Sequence, residues 1–250
     1  MKLGVLADIH SDFQSLEKAV KAIRKAGCDS ILCLGDIVGY SYHYADYLDG
    51  RDPDACIQMI RENCDDIVCG NHDLHAIRKL PPNHVEIGMP SDWYKLDLGE
   101  RSRISKNRFW LYDDELETPL SEESRAYIEK LQAKAVIKNS GLNILATHFI
   151  WPDICGSMQE SPSSLKDFRD HLKLVKKSGC LVGLAGHAHL EGYAQISRKA
   201  FGMNYFRKAE LMRRPQVIIV PAITRSKGKN GYLVLDTEKY IFEAIAIDPQ

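Results

Sequence analysis

Short apolar runs alternate with longer amphipathic stretches at the beginning of the chain. Leu3 to Ala7 is apolar throughout, and a run this short and uniform predicts a buried strand. Phe13 to Ala26 carries apolar residues at helical spacing, and Ser30 to Leu34 predicts a second buried strand. Two strands joined by a helix form a βαβ unit, so we expect these strands to be parallel, with a right-handed connection.

The same alternation continues along the chain, and its last part contains mostly strands. Further helices are predicted at 54–63, 121–131 and 165–177, and further strands at 65–69, 134–139, 142–147, 181–185, 193–196, 217–220, 232–235 and 241–247. We expect the last four strands to be antiparallel. Residues 39–53, 74–119 and 149–164 show no clear period, which predicts loops.

Polar side chains directly follow five of the predicted strands. Asp8 and His10 follow the first one, but alone this pair is more typical of a capped helix turn. The pattern gains meaning because it recurs at four later strand ends: Gly35-Asp36, Gly70-Asn71-His72-Asp73, His148 and Gly186-His187-Ala188-His189. Ligands of open α/β sheets bind outside the carboxyl ends of the strands, so we expect these side chains to converge.

The chemistry of these side chains indicates metal binding. Carboxylate, imidazole and amide groups together suit Mn, Fe, Zn or Co. The candidates exceed the needs of one tetrahedral site and predict two metal ions, about 4 Å apart, that share one carboxylate. The glycines at positions 35, 70 and 186 let the backbone turn where a side chain would crowd the ions.

Composition narrows the class of protein. The chain has 250 residues, 44% of them hydrophobic, and a net charge of -1. This length predicts a single domain over residues 1–250, with 81–119 as a cap or insertion beside the site. The balanced charge argues against a nucleic-acid partner. No apolar run approaches about 18 residues, and the seven cysteines form no CxxC pair. We therefore expect a cytoplasmic protein with free thiols and no membrane partner.

All five blocks, in this order and spread over nearly the whole chain, resemble the calcineurin-like metallophosphoesterase superfamily. The segment from Gly35 to Tyr40 is also similar to a bacterial subgroup of small phosphoesterases grouped with diadenosine tetraphosphatases. The resemblance implies an α/β fold, a four-layer α/β/β/α sandwich of two mixed sheets. Residues 220–223 read Val-Pro-Ala-Ile, where many members of that subgroup carry Asn-Pro-Gly-Ser, so the subgroup's substrate is not carried over.

The resemblance assigns each metal ligand of the family to a residue of this chain. One ion would be held by Asp8, His10 and His189, the other by Asn71, His148 and His187, and both by Asp36. It further implies a metal-bridging hydroxide that attacks phosphorus in line, with His72 assisting the leaving group and Asp73 holding the His72 ring. The implied activity is dimetal-dependent hydrolysis of phosphoric esters, with manganese as the metal expected to support it in vitro.

Several alternatives stay open at this stage. The substrate is expected to be small and phosphorylated, and a nucleotide, a dinucleoside polyphosphate and a cyclic-nucleotide-type diester are all candidates. Some members of the fold are non-catalytic interaction scaffolds that have lost metal ligands, whereas every ligand is present here. His75 and Arg78 are candidates for contacting the phosphate. Four tyrosines are candidates either for stacking on a nucleoside or for packing, namely Tyr40, Tyr42, Tyr44 and Tyr47. The oligomeric state is not predicted.

Overall fold

The chain forms two six-stranded mixed sheets in a computed structural model that describes residues 1–41, 47, 49–139, 141–159 and 162–247. The strands are β1 (Lys2–Leu6), β2 (Ser30–Cys33), β3 (Asp66–Ile67), β4 (Lys134–Ile137), β5 (Ile144–Thr147), β6 (Val182–Leu190), β7 (Tyr193–Ser197), β8 (Phe201–Asn204), β9 (Lys208–Glu210), β10 (Gln216–Pro221), β11 (Gly231–Asp236) and β12 (Ile241–Ala246). The α-helices are α1 (Phe13–Lys25), α2 (Pro53–Asn63), α3 (Asn71–Ala76), α4 (Leu98–Ser105), α5 (Glu122–Lys130) and α6 (Arg169–Lys177).

The strand order brings parallel neighbours to the middle of each sheet. One sheet has the order β3-β2-β1-β11-β12-β9 and the other β4-β5-β6-β10-β7-β8. β1 runs parallel to β2, with Leu3 opposite Ser30, which confirms the predicted βαβ unit. β6 is parallel to both β5 and β10. β10 therefore pairs antiparallel with β7 but parallel with β6. The expectation that the last four strands pair antiparallel is wrong for this one side of β10.

Three apolar layers produce the predicted four-layer sandwich. The facing sides of the two sheets meet in one core, where Val5 of β1 and Leu184 of β6 are fully buried. On the outer side of the first sheet, Leu16 of α1 packs in a layer shared with α2 and α5. On the outer side of the second sheet, Leu172 and Val175 of α6 form the third layer. Each such side chain stabilises the fold by about 1.5–3 kcal/mol through burial.

Some elements differ from the prediction. β6 extends to Leu190, beyond the predicted end at position 185, so His187 and His189 lie within the strand. β8 and β9 were not predicted. Their residues are exposed or half-buried, so neither strand contains the buried apolar run by which the other strands are recognised.

The segment predicted as a loop at 74–119 contains a 3-10 helix at Trp93–Lys95 and helix α4. Asp97 caps α4, and the side chain of Glu100 accepts a hydrogen bond from the backbone N–H of Asp97 at 3.1 Å. This capping box is a local signal for the start of a helix, visible in the sequence as Asp-x-x-Glu. The segment also has its own apolar cluster, in which the ring centroids of Trp93 and Phe109 lie 5.6 Å apart.

Two further features concern the character of the helices and the state of the cysteines. In the part of the chain that the structure describes, none of the helices has the length and apolar character needed to cross a membrane. All seven cysteines are free thiols, and five of them are buried.

Candidate dimetal site

Seven predicted metal ligands converge where the carboxyl ends of β1, β2, β5 and β6 meet. Asp8, Asp36 and His148 have side chains that are at most 2% exposed. Backbone hydrogen bonds join the strand ends directly: the Asp8 N–H donates to the Gly35 carbonyl at 3.1 Å. Parallel pairing of β1 with β2 and of β5 with β6 therefore gathers the ligands of each sheet at one edge. The His187 N–H joins the two sheets there by donating to Asp8 Oδ2 at 2.9 Å.

The first group of candidate ligands contains Asp8, His10 and His189. Their ligand atoms all lie within 4.8 Å of one another. The Nε2 atoms of His10 and His189 are 3.0 Å apart, and His189 Nε2 lies 3.7 Å from Asp8 Oδ1. These are the residues predicted to hold one ion.

The second group contains Asp36, His148 and His187, again within 4.8 Å. His148 Nε2 lies 3.1 Å from Asp36 Oδ2 and 3.3 Å from His187 Nδ1. Asp36 Oδ2 is also 3.8 Å from His10 Nε2, so this carboxylate lies between the two groups. This is the position expected for the ligand that the sequence predicts to be shared.

The Asn71 amide gives a direct test of whether a cation fits. As oriented, its Nδ2 donates to the Tyr112 hydroxyl at 3.2 Å, and its oxygen faces only acceptors. The facing atoms are His187 Nδ1 at 3.1 Å, His148 Nε2 at 3.2 Å, and the backbone carbonyl oxygens of Cys155 and Gly156 at 3.3 Å. Turning the amide over would give hydrogen bonds instead. A metal ion bound by the amide oxygen, His187 Nδ1 and the deprotonated Nε2 of His148 would satisfy these three atoms without that change. The donor set therefore fits a metal.

Backbone strain marks the same residues. Five predicted ligands have a left-handed backbone conformation, which residues other than glycine rarely adopt. Their φ values are 55° for Asp8, 49° for His10, 52° for Asp36, 68° for His187 and 47° for His189. Each such residue costs of order 1–3 kcal/mol, and strain of this kind concentrates at functional sites.

Two of the predicted glycines leave room for the carboxylates. A Cβ atom on Gly70 would lie 2.1 Å from Asp36 Oδ1, and one on Gly186 would lie 2.7 Å from Asp8 Oδ2. A third glycine that the sequence reasoning missed is Gly156, whose Cβ would lie 2.5 Å from His187 Nδ1. The backbone therefore approaches the ligand cluster closely on several sides.

Burial sets the protonation of the cluster. It lowers the pKa of His10 and His187 well below the usual value, which leaves these rings neutral and able to bind a metal. Burial would raise the pKa of Asp36, but the neighbouring His148 overcomes this effect and holds the pKa well below its usual range. The same contact raises the pKa of His148 to about 10 against its burial, so a bound cation would displace a proton there.

A family model described as calcineurin-like phosphoesterase matches residues 1–191 of this chain. The chain belongs to that family. A curated protein of Methanocaldococcus jannaschii, itself described as uncharacterised, is 38% identical over 78 residues, which span 31% of this chain and only 28% of that protein.

Solved structures agree with the fold. A metallophosphoesterase from Sphaerobacter thermophilus aligns over 100% of this chain and 89% of its own, with a TM-score of 0.67 and 18% identity. A hypothetical protein from Pyrococcus horikoshii aligns over 100% of this chain and 88% of its own, with a TM-score of 0.62 and 15% identity. At these identities the likeness establishes the fold alone.

The ring of His72 borders the ligand cluster. Its centroid lies 4.6 Å from that of His10, and its Nδ1 atom is 2.6 Å from the carboxylate of Glu115. The Glu115 side chain is only 3% exposed. Burial alone would lower the pKa of His72, but Glu115 and Asp36 raise it to about 9.

The structure corrects the role that the sequence gave to Asp73. Its carboxylate accepts hydrogen bonds from the backbone N–H groups of Ile37, Val38 and Gly70, at 2.8, 3.1 and 3.0 Å. Asp73 therefore fixes the loop that carries Asp36, and Glu115 holds the His72 ring in its place. No local pattern marks Glu115 in the sequence, because it reaches the site from 43 residues away.

Other sequence candidates lie elsewhere. His75 is buried and stacks on Tyr112 with ring centroids 3.9 Å apart, and Arg78 lies over Tyr94. Tyr40 and Tyr47 are buried against each other, which favours the packing alternative for both. The remaining two candidates of that set, Tyr42 and Tyr44, fall outside the described residues.

Proposed function

We propose that this phosphoesterase is a dimetal-dependent hydrolase of phosphoric esters. The observation that carries the proposal is the pair of adjoining ligand groups: Asp36 belongs to one and its Oδ2 lies 3.8 Å from His10 of the other, with His72 at their border. A scaffold without activity has no need to keep five strained ligand positions, since strain must be offset by other interactions. The free thiols support cytoplasmic action as part of this proposal.

The proposed ligands divide between two ions. One ion would be held by Asp8, His10 and His189, the other by Asn71, His148 and His187, and Asp36 would serve both. When bound, two divalent ions such as Mn²⁺ supply a coordinated water of lowered pKa and neutralise phosphate oxygens. The tight packing of Gly70 and Gly186 against the carboxylates fixes the positions of these ligands.

His72 and Glu115 provide the proton chemistry in this proposal. The Nδ1 atom of His72 is engaged by the Glu115 carboxylate, so Nε2 is the nitrogen left to face a substrate. The pairing favours the protonated ring, which can donate a proton to the leaving oxygen or stabilise charge on the phosphoryl group. Glu115 acts through His72 and is therefore a positioning residue.

The test combines activity with metal content. Protein loaded with Mn²⁺ is assayed on p-nitrophenyl phosphate and on bis-p-nitrophenyl phosphate, and the metal bound per chain is measured for wild type and Asp36→Asn. We expect hydrolysis of at least one ester and loss of bound metal in the variant. No hydrolysis of either ester, together with two metals still bound by Asp36→Asn, would overturn the proposal.

A further inference from the structure

A cleft of about 730 Å³ opens from the metal-ligand cluster toward solvent. Its volume is within the range of sites for small organic ligands. Asp36, His72 and His187 contribute to its inner end. The rest of its wall contains a set of large apolar side chains, which are Trp110, Leu111, Phe149, Phe168, Phe201 and Met203.

The apolar wall is continuous from the ligands to the rim. The Phe149 ring lies 4.3 Å from that of His187, centroid to centroid. Farther out, the buried Phe168 ring lies 5.8 Å from that of Phe201. Phe201 is 40% exposed and Met203 is 64% exposed, so both present apolar surface at the rim of the cleft. An apolar group attached to a phosphate at the ligands would therefore find apolar surface along its whole length.

The charges of the cleft disfavour a second phosphate group. Among the described residues that line it there is no lysine or arginine, and Asp113 and Asp114 lie in its wall. Residues 42–46, 48, 140, 160, 161 and 248–250 contain no lysine or arginine in the sequence either. Sites that bind polyphosphates hold them with cationic or backbone N–H donors. Further phosphates would here lie beside carboxylates.

We propose that the substrate is an ester of a single phosphate whose alcohol carries an alkyl or aryl group, and that this group lies along the apolar wall. The inference rests on the proposed function, since the phosphate must bind at the ligand cluster. It disfavours the dinucleoside polyphosphates that the sequence left open. Each methylene buried along the wall is expected to raise affinity about fourfold.

The activity test holds charge and leaving group constant. Protein loaded with Mn²⁺ is assayed on three 4-nitrophenyl phosphodiesters whose second ester group is methyl, phenyl or octyl, and on diadenosine tetraphosphate. We expect kcat/KM for the phenyl or the octyl ester to exceed that for the methyl ester by about tenfold or more. The ratio of phenyl to octyl distinguishes an aryl from an alkyl group. Equal values for the three esters, or a preference for the tetraphosphate, would overturn the inference.

A matched pair of variants tests the wall itself. Phe201 is the first residue of β8 and Tyr205 directly follows its last residue. Both are partly exposed aromatic residues, but only Phe201 of the two lines the cleft. Phe201→Ala should reduce the preference over the methyl ester at least threefold, whereas Tyr205→Ala should leave it unchanged. Equal loss in both variants, or no loss in either, would contradict the assignment of the wall.

Binding measurements separate this inference from the proposed function. Calorimetry compares phenylphosphonate and methylphosphonate, which resist hydrolysis, on the protein loaded with Mn²⁺. We expect phenylphosphonate to bind about tenfold more tightly in wild type and to lose this advantage in Phe201→Ala. Preferential binding without hydrolysis of any ester would support the cleft and refute the phosphoesterase activity. Equal binding of the two phosphonates alongside ester hydrolysis would refute the cleft alone.

Discussion

The strand ends and the segment 81–119 contribute to one site in opposite ways. The strand ends present their ligands from a buried and strained backbone, as in Asp8 and Asp36. The segment has a small apolar cluster of its own, around Trp93 and Phe109, and supplies Glu115 and part of the cleft wall. This difference suggests that the strand ends determine metal binding and chemistry, whereas the segment tunes the proton donor and the choice of substrate.

Loss of the shared carboxylate should have the largest effect. Asp36→Asn removes a charge that lies 3.1 Å from His148 and 3.8 Å from His10, so both ligand groups are weakened. We expect metal content to fall from two ions to one or fewer, and kcat/KM to fall by about 10³-fold or more. Elemental analysis and ester hydrolysis measure the two effects. Asp66→Asn, at a half-buried aspartate of β3 outside the site, is the control and should retain both properties.

A change beside the same carboxylate should give a smaller loss. In Gly70→Ala the new methyl group would lie 2.1 Å from Asp36 Oδ1, so the carboxylate or the backbone must move. We expect the affinity for metal to fall by about 10- to 100-fold, as for other groups that support metal ligands. Titration with Mn²⁺ measures it. Gly202→Ala in β8 would meet its nearest atom at an ordinary 3.6 Å, and equal loss in that variant would contradict the steric explanation.

A change in the segment should affect activity but not metal content. Glu115→Gln removes the charge that holds His72 Nδ1 at 2.6 Å. We expect kcat to fall by about 10- to 100-fold with two metals still bound. The loss should be greater for a phenyl than for a 4-nitrophenyl leaving group, because the poorer leaving group needs the proton more.

The control for Glu115→Gln comes from the same segment. Glu117 is exposed two positions farther along, and Glu117→Gln should keep full activity. Loss of metal in Glu115→Gln would break the division of roles between the two regions. An equal loss for both leaving groups would show that Glu115 does not act through proton donation.

The strand ends could be predicted from the sequence because local pattern determines them. An apolar run such as Leu3 to Ala7 indicates a buried strand. Parallel pairing then places Asp36 beside Asp8 at the end of β1 and β2, and His148 beside the β6 histidines in the other sheet. The left-handed conformation of Asp8 was not predictable, because it depends on the hydrogen bonds and neighbours of the folded chain. The sequence therefore indicates which residues meet and not how strained they are.

The segment was predictable only where a local signal existed. The Asp97 to Glu100 capping box was such a signal, whereas the apolar cluster around Trp93 has no regular period. The contact between Glu115 and His72 joins a loop to helix α3, and no spacing rule links these two residues. Asp73 was the nearest acid in the sequence, but its backbone hydrogen bonds turn it away from that role.

A change at His171 in α6 should have the smallest effect on activity and a separate effect on stability. The buried ring of His171 in α6 accepts a hydrogen bond at Nδ1 from the Trp151 N–H, 3.0 Å away, and so anchors the loop that follows His148. Burial lowers the pKa of His171 to about 4. Between pH 6.5 and 4 the unfolded chain therefore binds a proton that the folded protein does not. Stability from this residue is present above pH 6.5 and falls by about 3 kcal/mol as the pH drops to 4.

His171→Asn keeps an acceptor near the Nδ1 position but cannot titrate. Urea unfolding of metal-free wild type and variant at several pH values measures the difference between them. The variant should be less stable than wild type at pH 8, because the smaller side chain leaves a cavity. This difference should shrink or reverse toward pH 4, while ester hydrolysis at neutral pH changes little. A difference that stays constant with pH would show that His171 is not the titrating group, and the anchor would then act through packing alone.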